Sequence, residues 1–187
     1  MLLFDGKTTN GWLEVTGRPV PDASWTIEDG SLRALNSGHG FQDLRTEAVF
    51  RSFELQFDWK LEKGGNSGVK YQVQKTDRWT NADGLQARAR GLEYQLFDDA
   101  SEPSVDPRKR CGALYDKIAP SSAAARPVGE FNRSVLIVRG AHAEHWLNGV
   151  RVVEFEPPIP IFESFLALQN HGTPVWFRNL KLRRLEL

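Results

Sequence analysis

The sequence predicts an all-β sandwich of many short strands. Turn-forming residues recur about every ten positions, which is the spacing typical of sandwiches and barrels. Several segments alternate apolar and polar residues with a period of two, whereas the period of an amphipathic helix is nearly absent. These observations favour short strands joined by tight turns over any helical fold.

Length and charge limit the classes of partner. A chain of 187 residues can bury roughly 70% of its unfolded surface, so we expect one domain over residues 1–187. Lys plus Arg and Asp plus Glu both number 24, so no net field attracts nucleic acid or an anionic membrane. The single cysteine, Cys111, excludes an intramolecular disulfide and a cysteine-built zinc site.

The first residues carry no targeting pattern. The apolar run Met1–Phe4 is too short for a signal-peptide core or a membrane span. As written, the sequence predicts a cytoplasmic protein, or a periplasmic or secreted one if a signal peptide has been removed. The oligomeric state has no signal in the sequence.

The first predicted elements form a hairpin and an edge strand. Trp25–Glu28 and Ser31–Ala34 are strands joined by Asp29-Gly30, a dipeptide that accepts positive φ angles. After a loop at residues 36–40, we expect Asp43–Ala48 to re-enter the sheet at an edge.

The longest alternating segment is Phe53–Leu61, which we place at the centre of a sheet. Its apolar positions are odd-numbered and its polar positions are even-numbered. The polar face includes Asp58 and could continue a binding groove, which makes Asp58 a candidate substrate-binding residue.

The segment Gly64–Asp99 contains two further alternating strands with unusually polar outer faces. One face of each is apolar (Val69, Tyr71 and Val73; Leu92, Tyr94 and Leu96), and the other is polar (Lys70, Gln72 and Gln74; Glu93 and Gln95). This polar density exceeds what a solvent-facing sheet needs, so it predicts a binding or catalytic groove. Residues 76–90 and 103–110 have no strand pattern and are expected to be surface loops.

The second half of the chain continues the strand pattern. Asn148-Gly149 is the strongest hairpin-turn signal in the sequence. The three prolines within residues 157–160 lack backbone donors, so this segment must lie outside the hydrogen-bonded strands. The expected segments are a short strand at Gly112–Asp116, a helical turn at Pro120–Arg126, and strands at Ser134–Arg139, His142–Leu147, Val150–Phe155, Phe165–Asn170 and Val175–Leu187.

A series of short motifs then resembles a known family. In order they are Leu3-Phe4-Asp5-Gly6-Lys7-Thr8 with Gly11-Trp12, Gly65-Asn66-Ser67-Gly68-Val69, Glu93-Tyr94-Gln95 with Asp98, Gly112-Ala113-Leu114-Tyr115, Pro127-Val128-Gly129-Glu130 with Asn132, His145-Trp146-Leu147-Asn148-Gly149, and His171-Gly172-Thr173-Pro174-Val175-Trp176-Phe177-Arg178-Asn179. Their order is similar to that of the 3-keto-disaccharide hydrolase family. The sequence departs from the family at Gln72, where members often carry arginine, and within residues 76–90.

The resemblance implies a fold and a reaction. The fold is a concanavalin A-like jelly-roll sandwich of two antiparallel sheets, and the substrate is an oxidised (3-keto) glycoside or disaccharide. A ketone acidifies the proton on the adjacent carbon, so a base can remove it and the anomeric substituent can leave by elimination, with hydration giving net hydrolysis. This path needs a base, a group that holds the enolate oxygen and an acid for the leaving group.

The first catalytic candidates are Glu93 and His171. Glu93 lies on the polar face of its strand, and His171 lies just before the Gly-Thr-Pro turn. Both have plainer interpretations, as a solvated strand carboxylate and a hydrogen-bonded structural histidine. A divalent metal ion held by Glu93 and His171 could bind the enolate oxygen, although no recognisable ligand motif is present.

Candidates near residue 145 depend on which face of the strand lines the groove. His142 and His145 are three residues apart and point to opposite faces, so they cannot chelate one ion together. The family resemblance favours His145 as a catalytic residue, although alternation groups it with core residues. The alternative is that Glu144 and Trp146 face the groove, with the indole as a sugar platform.

The remaining candidates are substrate-binding residues. Asn66 lies between glycines, in a loop that is equally consistent with a simple turn. The apolar parity changes near Arg178, which predicts a β-bulge that aims its side chain. The other proposed lining residues are Lys70, Gln95, Gln169 and Tyr115. A non-catalytic carbohydrate-binding module, with Trp146 or Trp79 as the recognition residue, is the alternative function; a structural interaction domain is a third.

Overall fold

The computed structural model describes residues 1–186, which form two facing β-sheets. The strands are β1 (Trp12–Glu14), β2 (Trp25–Glu28), β3 (Ser31–Ala34), β4 (Gly40–Gln42), β5 (Leu44–Thr46), β6 (Phe53–Leu61), β7 (Asn66–Asn81), β8 (Gly84–Phe97), β9 (Asn132–Arg139), β10 (His142–Leu147), β11 (Val150–Phe155), β12 (Ala167–Leu168) and β13 (Val175–Arg184). A single turn of 3-10 helix spans Pro107–Lys109. No helix within residues 1–186 is long and apolar enough to cross a membrane.

One sheet has six strands in the order β1-β5-β12-β7-β8-β4, and the other has seven in the order β11-β10-β9-β6-β13-β3-β2. We call them the groove sheet and the outer sheet. Their apolar faces meet in a core that includes Trp25, Phe57, Tyr71 and Tyr94. The free thiol of Cys111 is buried beside this core, and desolvation raises its pKa to about 12.

The hairpin predictions are confirmed. Asp29 and Gly30 have φ angles of 48° and 70°, and Asn148 and Gly149 have 49° and 86°, so both turns use the left-handed region. The strand β6 is the central strand of the outer sheet, as its length and alternation predict. Residues 157–160 lie outside the strands because proline lacks the ladder donor.

Several predicted elements were wrong. Residues 76–90 are not a loop, because β7 and β8 continue as a long hairpin with a register shift between Tyr71 and Lys75. The segment at 43–48 is not at an edge, because β5 pairs with both β1 and β12. The predicted pair of antiparallel sheets is confirmed, with one parallel pairing at the edge of the groove sheet between β4 and β8.

Four predictions in the second half of the chain also need correction. Residues 112–116 contribute only isolated bridges of Leu114 to Tyr94 and Ile118. Residues 120–126 form no helical turn, and the predicted strand at 165–170 shortens to Ala167–Leu168. The strand β13 ends at Arg184, and the predicted terminal residue Leu187 lies outside the described residues.

Candidate functional site

A cavity of about 420 Å³ opens on the exposed face of the groove sheet. Strands β7 and β8 form its floor, and the segments around residues 41, 115 and 170 form its walls. The lining residues are Phe41, Asn66, Lys70, Trp79, Asn81, Asp83, Gln86, Arg88, Arg90, Glu93, Gln95, Tyr115, Gln169 and His171.

Strand register explains which side chains share the floor. Lys70 pairs with Glu93 across β7 and β8, and Gly68 pairs with Gln95. Paired residues point to the same face of a sheet, and the intervening residues Val69 and Tyr94 point into the core. The alternation therefore delivers Lys70, Glu93 and Gln95 to the cavity.

A buried carboxylate, Asp43, organises the cations of the floor. Asp43 is fully buried, and its two oxygens accept hydrogen bonds from Lys70 Nζ at 3.2 Å and Arg88 Nη1 at 3.2 Å. They also accept the backbone N–H groups of Ala89 at 3.0 Å and Asn170 at 3.1 Å. Arg88 additionally donates to the carbonyl oxygen of Asn170. Asp43 thus fixes Lys70 and Arg88 against the floor while neutralising part of their charge.

Glu93 is the titratable group suited to neutral pH. Desolvation is the largest influence on it and raises its pKa to about 7, against the opposing charge of Lys70; Asp43 raises it further. Within residues 1–186 no hydrogen bond contributes to this pKa, so the carboxylate is available to a ligand. At neutral pH the group is therefore close to half ionised, as a general base requires.

The mouth of the cavity carries aromatic side chains and a histidine. Trp79 and Tyr115 are 39% and 37% exposed, and the guanidinium of Arg90 lies 5.7 Å from the Trp79 ring. His171 is exposed at the mouth, where partial desolvation and the charge of Arg88 lower its pKa. The imidazole is therefore mainly neutral at pH 7.

Eight of the residues singled out from the sequence meet at this cavity, namely Glu93, His171, Asn66, Lys70, Trp79, Gln95, Tyr115 and Gln169. Sequence reasoning missed Asp43 and Arg88. Asp43 sits between the short strands β4 and β5, and Arg88 lies in the hairpin that was expected to be a loop. Gln86 and Arg88 alternate with the small residues Ala87 and Ala89. This alternation could have predicted a strand with Gln86 and Arg88 on one face.

Asp58 and Arg178 lie on the exposed face of the outer sheet, away from the cavity. The predicted bulge is present, because the register of β13 shifts between Arg178 and Lys181. It directs Arg178 over the ring of Phe131, with its guanidinium carbon 3.5 Å from the centroid. Asp58 instead receives a hydrogen bond from Arg133 at 2.9 Å. The polar face of β6 therefore does not continue the groove, because β6 belongs to the other sheet.

His145 is a core residue and does not line the cavity. Its Nδ1–H donates to the carbonyl of Gly112 at 3.0 Å, which leaves Nε2 to accept the hydroxyl of Tyr71 at 2.8 Å. Burial lowers the pKa of His145 to about 4, so the ring is neutral. Trp146 lies on the exposed face of the outer sheet, where its indole N–H donates to Glu144. Neither face of β10 reaches the groove.

A group of His and Glu residues that could hold a metal lies elsewhere. His142, Glu144 and Glu154 on the outer sheet each offer one ligand atom, and these atoms lie within 4.8 Å of one another. Among residues 1–186, Glu93 and His171 are not part of any such three-ligand group. The cations Lys70 and Arg88 also make the cavity floor a poor fit for a divalent ion.

Comparisons with known proteins identify the family of this chain. The family model described as a 3-keto-alpha-glucoside-1,2-lyase-like domain matches residues 1–183. A 3-keto-disaccharide hydrolase of Bacteroides thetaiotaomicron is 30% identical over 226 residues, which cover 98% of this chain and 78% of that protein.

Solved structures extend the fold comparison. A glycosyl hydrolase structure from Parabacteroides distasonis has a TM-score of 0.81 and 27% identity, covering 100% of this chain and 94% of that one. The lumenal domain of VIP36, with calcium and an oligosaccharide bound, has a TM-score of 0.65 at 11% identity, covering 99% and 88% of the two chains. The fold is therefore that of the concanavalin A-like jelly rolls.

Proposed function

The chain belongs to the family of 3-keto-alpha-glucoside-1,2-lyase-like domains, and from this membership we propose that it cleaves 3-keto-glycosides by elimination. The observation that carries the proposal is Glu93, a carboxylate with a pKa of about 7 beside Lys70 on the cavity floor. Membership makes the protein an enzyme acting on glycosides.

In the first step the Glu93 carboxylate removes the proton from the carbon next to the ketone. The electron pair of the broken C–H bond moves to the ketone oxygen, giving an enolate. Lys70 and Arg88 hold that oxygen, because both are cationic donors and Asp43 fixes them in place. Protonation of Glu93 removes one negative charge from the floor as the enolate adds one, so the charge of the site is conserved.

In the second step the enolate re-forms the ketone and expels the anomeric oxygen, leaving a double bond between the first and second carbons. The proton held by Glu93 balances the departing alkoxide. Neutral His171 at the mouth donates a hydrogen bond to the leaving oxygen. Addition of water across the double bond then gives net hydrolysis.

The test uses a 3-keto-glucoside with a 4-nitrophenyl leaving group. Elimination predicts release of nitrophenol, a primary isotope effect when deuterium replaces the proton on the second carbon, and no loss of rate on adding a chelator. Ordinary displacement at the anomeric carbon would give no primary isotope effect at that position. If wild type releases no nitrophenol above background, the proposed reaction is wrong for this substrate class.

A second candidate function is non-catalytic sugar binding. The exposed aromatic rings of Trp79 and Tyr115 at the mouth favour it, because such rings stack on sugars. It predicts saturable binding of glycosides by wild type, with no turnover of the 3-keto compounds and no effect of Glu93→Gln beyond the loss of one acceptor.

A further inference from the structure

We propose that Gln95 and Gln169, which lie on either side of the Glu93 carboxylate, form a pair of acceptors that bind two hydroxyl groups of one sugar ring. This inference rests on the proposed function for the role of Glu93. It adds the part of the substrate that the cavity recognises, namely a ring with free hydroxyls at two positions besides the ketone.

The two glutamines lie in one row across three strands. The backbone N–H of Gln169 donates to the carbonyl of Gly68 at 2.9 Å, and Gly68 pairs in register with Gln95. The order of these strands is β12-β7-β8, so the Cα atoms of the glutamines are separated by two strand spacings, about 10 Å. Gly68 lies midway between them.

The glycine leaves room for the catalytic carboxylate. A Cβ atom at Gly68 would lie 2.5 Å from Oε1 of Glu93. The carboxylate of Glu93 therefore occupies the space above Gly68, between the glutamine side chains. A ring placed on this floor presents its reacting carbon to Glu93 and its edges to Gln95 and Gln169.

Both glutamine oxygens lack a partner although both side chains are buried. Gln95 and Gln169 are 2% and 7% exposed, and the Oε1 atom of each has no hydrogen-bond partner among residues 1–186. The orientation of Gln95 is fixed because its Nε2 donates to the carbonyl of Lys109 at 3.2 Å. Buried acceptors without partners are destabilising, and because both glutamines line the cavity a bound ligand is placed to supply the missing donors.

The chemistry of the floor divides donors from acceptors. Lys70 and Arg88 can only donate, so they suit the ketone and enolate oxygen. The free Oε1 atoms of Gln95 and Gln169 can only accept, so they suit hydroxyl groups. A substrate that lacks a hydroxyl at either position leaves a buried acceptor unpaired and is rejected.

The experiment pairs variants with substrates that lack one hydroxyl. Gln169→Met and Gln95→Met remove each acceptor at nearly constant volume, and Gln56→Met on the exposed face of β6 is the matched control. They are assayed on the 3-keto-glycoside and on its monodeoxy analogues at each remaining hydroxyl position. Thermal melts verify that each variant is folded. Gln169→Met decides the outcome if Gln95→Met does not fold, because the Oε1 atom that it removes has no partner within residues 1–186.

We expect Gln169→Met to lower kcat/KM about 10–100-fold on the full substrate, with Gln56→Met unchanged. With wild type, one monodeoxy analogue should show a similar loss of kcat/KM. With Gln169→Met that analogue should show no further loss, because the substrate change and the enzyme change remove the same hydrogen bond. A loss of less than about threefold in Gln169→Met, or losses that simply add for every analogue, would overturn the acceptor pair.

Binding of the unoxidised glycoside, followed by saturation-transfer NMR, separates this inference from the proposed reaction. If wild type binds the glycoside and Gln169→Met does not, while neither releases a leaving group, then the elimination is wrong and the acceptor pair stands. If turnover is normal and Gln169→Met binds and reacts like wild type, the acceptor pair is wrong and the elimination stands. An absence of both binding and turnover in wild type would overturn both.

Discussion

The exposed faces of the two sheets have similar alternating sequences, but the pKa values of their carboxylates are shifted in opposite directions. On the outer sheet, desolvation alone would raise the pKa of Asp58, yet hydrogen bonds from Arg133 and Asn179 outweigh it and lower the pKa. Hydrogen bonds from His142 and Trp146 do the same for Glu144. On the groove sheet, Glu93 receives no such bond from any of residues 1–186, and desolvation raises its pKa to about 7.

The difference teaches that polar alternation alone does not identify a site. On the outer face, carboxylates already accept hydrogen bonds from neighbouring side chains. Glu54, for example, pairs with Arg183 at 2.5 Å. The groove face keeps a carboxylate and two amide oxygens unpaired while it buries the cations that surround them. Unsatisfied groups of this kind cost stability and persist where a ligand uses them.

The largest effect should come from removing the unpaired carboxylate. We expect Glu93→Gln to lower kcat for the 3-keto-glycoside about a thousandfold, because the general base is lost. The matched change on the outer face, Glu144→Gln, should leave kcat within about twofold. Comparable losses in the two variants, measured by nitrophenol release, would remove the distinction between the faces.

The same Glu93→Gln substitution should stabilise the fold. The folded-state pKa of Glu93 lies above its unfolded value, so wild type loses stability relative to the amide variant as pH rises from about 4.5 to about 7. We expect the variant to be about 1–3 kcal/mol more stable in urea melts at pH 8 and equal to wild type at pH 4. A less stable variant at pH 8 would contradict the desolvated environment assigned to Glu93.

Loss of the buried anchor should have the next largest effect on turnover. Asp43→Asn leaves Lys70 and Arg88 without their shared anion, so we expect kcat to fall about 10–100-fold and stability to fall by about 3 kcal/mol. Asp58→Asn, on the outer face, should cost about 1 kcal/mol or less and leave kcat unchanged. An Asp43→Asn enzyme with full kcat at a temperature where it is folded would exclude a positioning role for Asp43.

The pH dependence gives a smaller but more specific test. Glu93 acts as a base only when ionised, so kcat/KM should rise about tenfold per unit as pH increases towards 7 and then level off. Glu144→Gln should retain this profile, since Glu144 lies on the other sheet. A profile that is flat between pH 5.5 and 8.5 would show that a different group carries the proton.

The smallest effect on turnover is expected for the core histidine. His145→Ala removes the bonds to Tyr71 and Gly112 and leaves a cavity, so we expect a loss of about 2–3 kcal/mol in stability. The folded fraction should retain kcat within about threefold. A loss of kcat as large as that of Glu93→Gln would show that His145 has a catalytic role.

The alternation of strands could be predicted from the sequence because it depends on local sterics and burial. Turns at Asp29-Gly30 and Asn148-Gly149 follow from the need for positive φ angles, and the position of Glu93 follows from its core neighbours Leu92 and Tyr94. These features need no knowledge of distant parts of the chain.

The sheet to which a strand belongs could not be predicted from alternation. Asp58 and Glu93 alternate with core residues in the same way, yet they face away from each other on opposite sheets. Strand partners depend on long-range pairing, which the local pattern does not contain. Arg88 was missed for a related reason: beyond the register shift the facing part of β7, residues 75–81, is almost wholly polar and resembles a loop, so the short alternation at residues 85–90 had no recognisable partner strand.

The burial of Cys111 also makes the protein suitable for site-specific labelling. The sequence contains one cysteine, and its thiol is enclosed and protonated at neutral pH. A maleimide dye should therefore ignore it and react with a thiol introduced at Ala82, in the exposed turn of the β7–β8 hairpin. Such a dye would report fluorescence changes next to Asn81 and Asp83, which line the cavity, as sugars bind. Ala82 would be the only native residue replaced.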